Sequence, residues 1–148
     1  MNDKHIAIAK NDPFKLNRFV TAQKTAYDRV LSELKNGYKQ SHWMWYIFPQ
    51  LDGLAQSATS KYYAIKSVDE AVAYLNHSIL GSRLLECTEI VYKIEGKSVS
   101  DIFGYPDNLK FKSSITLFSE VANKRVFVEV LDKYFQGEQD IKTLQLLT

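Results

Sequence analysis

The chain has little of what most recognisable active sites are built from. Cys87 is its one cysteine among 148 residues. That excludes an internal disulfide and any cluster of thiolates around a metal within one chain. His5, His42 and His77 are its three histidines. They lie far apart with no His-x-x-x-His spacing, so no metal site is expected. The sequence has no Gly-rich phosphate loop, no Gly-x-Ser-x-Gly elbow and no dinucleotide fingerprint, so no cofactor is expected either. No run of 18 apolar residues occurs, which excludes a membrane-spanning helix. The net charge of +2 is too small to imply a polyanionic partner by itself. There is no internal repeat, Pro/Gly-rich linker or low-complexity stretch that would divide the chain.

What is present is material for a core. Hydrophobic residues make up 45% of the chain and charged residues 24%, an ordinary globular balance. A chain of this size removes roughly 68–70% of its unfolded surface from water, enough for one self-sufficient domain. Residues 12–148 are expected to form that domain, behind a short, mobile leader from Met1 to Asn11. The leader has no apolar stretch of signal-peptide length, so a soluble, cytoplasmic protein is expected.

The periodicity is helical almost throughout. Asp12 as N-cap and Pro13 at the first helical position predict a helix start. Leu16, Phe19, Val20, Tyr27, Val30, Leu31 and Leu34 continue it to a stop at Gly37. Trp43 to Phe48 fits either a buried strand or a helix buried all round; helix is preferred, and Pro49 ends it. Residues 51–60 read as a loop around Gly53. Ser67 with Glu70 is a capping-box pattern opening a helix to Leu75. A helix follows from Ile79 to Glu95, with Cys87 on its apolar stripe as a small hydrophobe. Ser98 with Asp101 repeats the box for a short helix ending at Gly104. Tyr105 to Asn108 is a turn, and Asp107 is expected to cap a helix from Leu109 to Ala122. Arg125 to Phe135 and a turn between Asp140 and Leu147 complete an all-α domain of about six to eight helices.

Two stretches could carry chemistry. The first is Ser41-His42-Trp43-Met44-Trp45-Tyr46-Ile47-Phe48-Pro49-Gln50, which holds both tryptophans. If Ser41 caps a helix starting at His42, the dipole disfavours the charged imidazole. A neutral His42 could then move a proton or donate a hydrogen bond; the alternative is a histidine that only orients the aromatic segment. Trp43 and Trp45 read first as core and second as a stacking surface for a ligand. The Gln50 amide could read a ligand or tie down a loop. The second stretch is the helix after Asp107. Phe111, Ile115, Phe118 and Ala122 share a face, and Lys110 and Ser114 project into the same arc with Ser113 at its edge. Lys110 could hold an anion with Ser113 and Ser114 donating hydrogen bonds. Alternatively Lys110 snorkels and Ser114 bonds to the preceding turn.

These stretches also carry a resemblance. Asp12-Pro13-Phe14 with Leu16 and Arg18-Phe19, then Ser41 to Trp45 and Phe48-Pro49-Gln50, then Ile102 to Asp107 with Lys110, Ser113-Ser114 and Thr116-Leu117-Phe118, resemble the bacterial domain-of-unknown-function family eighteen-ten. The resemblance runs from Asp12 to Leu147 and implies a small α-helical domain, with no activity to carry over. The calpastatin-like label sometimes attached to the family implies a disordered inhibitor, whereas this chain is patterned for a packed core. Asn108 stands where the family often has an acidic residue, which argues against a pair of carboxylates at Asp107.

Three functions are therefore expected as rivals. One is a pocket for an anionic small molecule, ligand-binding or enzymatic, with Lys110 on the anion, His42 transferring a proton and Asp107 orienting one of them. The second is a protein-interaction module whose motifs serve packing. The third, least favoured, is a weak nucleic-acid binder using Lys110, Lys112, Lys124 and Arg125.

Overall fold

A computed structural model describes residues 12–148 as an all-α domain. The expected leader lies outside the described residues. Ten helices occur among them. They are α1 (Asn17–Lys24), α2 (Tyr27–Lys35), α3 (Met44–Ile47), α4 (Ala58–Tyr63) and α5 (Val68–Asn76). After these come α6 (Leu80–Lys93), α7 (Val99–Phe103), α8 (Asp107–Val121), α9 (Arg125–Phe135) and α10 (Ile141–Leu147).

Helix α8 is the hub. It packs against α3, α5, α7, α9 and α10. Its Phe111, Ile115, Leu117 and Phe118 are fully buried, each worth roughly 1.5–3 kcal/mol in area removed from water. Phe48 meets Phe111 edge-on at 4.9 Å, and Phe103 stacks on Phe111 at 4.5 Å between ring centroids. The aromatic stretch is thus helical, as its apolar run suggested, but only for the single turn of α3. Pro49 and an isolated parallel bridge between Leu51 and Ile65 end it.

Local signals account for most boundaries. Ser98 and Asp101 form the complete capping box of α7, and Gly37 follows α2 at φ +70°, the left-handed conformation glycine adopts without strain. Gly81 lies so close to the end of α5 that a Cβ there would stand 2.0 Å from the Leu75 carbonyl oxygen.

Between Asp12 and the end of α5, four details differ from expectation. The first helix does not start at Pro13. Lys15 takes φ +55°, and the Asp12 carboxylate instead accepts the N–H groups of Leu16 (2.7 Å) and Asn17 (3.0 Å). The same apolar stripe then breaks at Thr25–Ala26 into α1 and α2. A helix, α4, replaces part of the expected loop. Ser57 caps it by accepting from the Ser60 N–H, but its sequence has no apolar period to announce it. Ser67 caps α5 as expected, yet Glu70 does not reach back to close the box. Its carboxylate takes the Lys66 N–H and the Arg18 guanidinium.

Candidate functional site

The site begins with a buried carboxylate. Glu33, near the end of α2, accepts the N–H groups of Gln40 (2.8 Å) and Ser41 (3.0 Å) and the Trp43 indole N–H (2.8 Å). It also accepts the Ser41 hydroxyl. Burial pushes its carboxyl up, but the bonds from Ser41, Gln40 and Trp43 outweigh burial and hold it at about 2. One anion therefore fixes the entry to α3. Ser41 is occupied by Glu33 rather than by capping a helix, and α3 starts at Met44 with no side-chain cap.

The segment so fixed delivers Lys39. Its backbone N–H donates to the Ile102 carbonyl at 2.7 Å, and its side chain is 5% exposed. The ammonium lies 2.7 Å from Asp107, 2.6 Å from the Ser41 carbonyl and 4.9 Å from the centroid of the Trp43 ring. Asp107 is thus not the N-cap of α8 but its first residue. Pro106 occupies the cap position after a cis Tyr105–Pro106 bond. The other Asp107 oxygen is 3.3 Å from Lys110, one turn along. Lys110, 24% exposed, stands 4.0 Å over the face of Trp45, a cation–π placement. Two ammonium groups, one carboxylate and two indoles form a contiguous cluster.

Beside it runs a groove of about 250 Å³ between the loop after α3, the start of α8 and α10. Lys110, Lys142, Gln50, Ser113 and the Asp140 carboxylate supply its polar lining, and Leu54, Ala55, Pro106 and Leu109 its apolar lining. Gln50 and Ala55 also border a cavity of about 10 Å³ behind Trp45, room for one water.

The structure brings Asp107, Lys110 and Trp45 into contact, and places Gln50 and Ser113 with Lys110 around one groove. Trp43, His42 and Ser114 are not in the groove's lining, and the Ser113 hydroxyl is engaged within the fold. Trp43 is fully buried with its indole on Glu33. His42 is exposed and is not among the residues lining the groove. Ser113 donates to the Leu109 carbonyl (3.2 Å) and to Asp140 (3.1 Å), which caps α10. The Ser114 hydroxyl is fully buried and has no hydrogen-bond partner among the described residues. Cys87 lies in the core, where burial pushes its thiol up to about 12 and leaves it protonated. Among the described residues no three His, Cys, Asp or Glu side chains group to hold a metal, and no helix is long and apolar enough to cross a membrane.

Sequence reasoning missed Glu33, Lys39 and Lys142. Glu33 and Lys39 sit at a helix end and in a loop, where charged residues are ordinarily solvated; what distinguishes them is Glu33's contact with Ser41 and Trp43 and Lys39's contact with Asp107 of α8. A signal was available for Glu33. A fully buried tryptophan needs a partner for its N–H, and a carboxylate ten residues earlier was a candidate.

No curated protein matches this chain. It is similar to the crystal structure of the conserved hypothetical protein Rv1873 from Mycobacterium tuberculosis, with 49% identity and a TM-score of 0.91. The likeness covers 92% of this chain and 98% of that one. The family described as protein of unknown function (DUF1810) matches residues 13–147. With a match over almost all of its described residues, the chain belongs to the DUF1810 family.

Proposed function

We propose that the groove beside Lys110 binds a small anionic molecule. The observation that carries this reading is the unequal sharing of Asp107. Its closer cation is Lys39, at 2.7 Å and nearly buried, while Lys110 is at 3.3 Å and more exposed. Lys110 can therefore turn its ammonium to a ligand without leaving a carboxylate unpaired, which would otherwise cost about 3–5 kcal/mol for a buried pair. Trp45 holds the lysine's position through its ring face. Lys142 offers a second cation, while the carboxylate in the lining, Asp140, accepts from Ser113 and from the Thr143 N–H and hydroxyl. Gln50 can bond a polar edge, and Leu54 and Leu109 can cover an apolar part. The volume suits a metabolite rather than a polymer. Because His42 is exposed and away from the lining, it has no part in this reading, which is one of binding and assigns no proton transfer.

The basic residues support a nucleic-acid surface less well. Lys110 is paired with Asp107 and Lys112 with Glu138 at 3.1 Å. Lys124 and Arg125 follow the far end of α8, roughly 20 Å from Lys110 at 1.5 Å rise per residue.

The test is thermal unfolding with a panel of inorganic phosphate, sugar phosphates, mononucleotides and small carboxylates at matched ionic strength. A ligand at about 100 times its Kd adds about 2.7 kcal/mol, or about 5–10 °C in Tm for a chain of this size. Lys110→Met should abolish that shift. A shift that survives the substitution, or no shift from any anion in the panel, overturns the reading.

A further inference from the structure

A second groove, of about 510 Å³, lies between the Pro13–Lys15 turn, the end of α4 and the start of α5. Its floor is apolar: Phe14 is half-buried, and Tyr62 leaves 59% of its surface to solvent. Its wall holds Arg18 and Glu70, and every donor of that guanidinium is already engaged. Nε donates to the Tyr62 carbonyl (2.8 Å), and one terminal nitrogen to those of Phe14 (2.7 Å) and Lys15 (3.0 Å). The other donates to the Ala64 carbonyl (3.0 Å) and to Glu70 (2.6 Å). The second Glu70 oxygen accepts the Lys66 N–H at 2.8 Å. A small molecule entering here would find no uncommitted buried polar group to orient it, unlike the usual metabolite site.

The rim is different. Lys15, Lys61 and Lys66 are all exposed. Against them stands one carboxylate, Asp52, 3.5 Å from Lys66 with both side chains about half exposed, a pairing of little strength in water. An apolar floor with an exposed tyrosine inside a charged, hydrated rim is the anatomy of a protein interface. The rim's excess of positive charge selects the partner's charge. Lys15 adds a further observation. It is not glycine, yet it is held at φ +55° with its carbonyl accepting from Arg18, a conformation that is unfavourable for a side-chain-bearing residue.

We propose that this groove docks an acidic segment of a partner protein, one that places an apolar side chain on Phe14 and Tyr62 and carboxylates on Lys15, Lys61 and Lys66. This surface is independent of the Lys110 groove.

The probe is a fluorescein-labelled peptide of glutamates around a central Leu-Phe pair, followed by anisotropy on the full chain. Saturable binding is expected to weaken at least about tenfold between about 0.01 M and 0.15 M salt. The double variant Lys61→Glu/Lys66→Glu, on exposed positions, is expected to lose a further tenfold or about that. The same peptide with glutamine in place of glutamate should not bind, and Lys110→Met should change nothing. Lys15→Gly should raise Tm while weakening the peptide, a combination that a purely structural lysine would not give. Absence of saturable binding, equal binding of the glutamine peptide, or unchanged affinity in the charge-reversed variant overturns the proposal. So does a single-stranded oligonucleotide of equal charge that binds more tightly than the peptide.

Discussion

The chain uses the same three components twice, a cation, a carboxylate and an aromatic face, and the two results differ. At one end Arg18 meets Glu70 at 2.6 Å and lies 4.3 Å over Phe19. At the other Lys110 meets Asp107 at 3.3 Å and lies 4.0 Å over Trp45. The Arg18 guanidinium has five donors and five internal acceptors, so it is a clamp that ties the Pro13–Lys15 turn to α4 and α5. The Lys110 ammonium has one carboxylate, which a second lysine holds more closely. What separates structure from candidate function here is the number of commitments each charge has within the fold, since the residue types are alike.

The largest expected effect breaks the clamp. Arg18→Met leaves Glu70 buried without its cation and should cost about 3–5 kcal/mol, read as a Tm lower by about 10 °C. Arg18→Lys should recover little of this, because one ammonium cannot reach four carbonyls and a carboxylate with fork geometry. A loss under about 1 kcal/mol would mean the clamp is ornamental and would collapse the contrast with Lys110.

Next comes Glu33, the anion that fixes the approach to the Lys110 cluster. Its folded carboxyl is held at about 2 against an ordinary 4.5. A depressed carboxyl stabilises the fold fully above the unfolded value, and that contribution is lost as pH falls towards the folded one. The difference amounts to about 3 kcal/mol at neutral pH. Denaturant unfolding of wild type and Glu33→Gln should therefore differ most above about pH 5 and converge towards pH 2. A gap independent of pH would assign the effect to shape rather than charge.

Asp107→Asn should have a middling effect, about 2 kcal/mol, because Lys39 is nearly buried and loses its counter-ion. Pairing it with Lys39→Met in a double-mutant cycle sharpens the point. The double variant should be more stable than the sum of the singles by about 1 kcal/mol or more.

The smallest stability effect belongs to Lys110→Met. Removing a partly exposed ion pair and a cation–π contact should cost no more than about 1 kcal/mol in chemical unfolding, yet remove all ligand-induced stabilisation. Should Lys110→Met prove as damaging as Arg18→Met, Lys110 would be a second clamp.

Legibility followed the range of the interactions. The Ser98–Asp101 box and the Ser67 cap connect residues three apart, so their side chains could be paired by counting. Lys110 in the apolar arc after Asp107 was also visible, because helical spacing puts the two side chains one turn apart. Helix α4 was not visible, since Ala58 to Tyr63 has no apolar period and is held by a cap and by the Leu51–Ile65 bridge. Nor was the left-handed conformation of Lys15, which displaced the helix start from Pro13 to Asn17. His42 looked informative because it stands beside two tryptophans. It is exposed, whereas its neighbours Ser41 and Trp43 both bond to Glu33, eight and ten positions earlier in the chain.

The sequence by itself determined an all-α domain, most of its helices, their stops and the identity of the aromatic core. Those features arise from backbone conformation and from apolar spacing, both of which act over a few residues. Tertiary structure alone decided which charges are occupied. Arg18 reaches Glu70 across 52 residues, and Lys39 comes to Asp107 from a different helix connection. Charges attract at any sequence separation, and their strength depends on burial and on how many donors and acceptors surround them, quantities that exist only once the helices have packed.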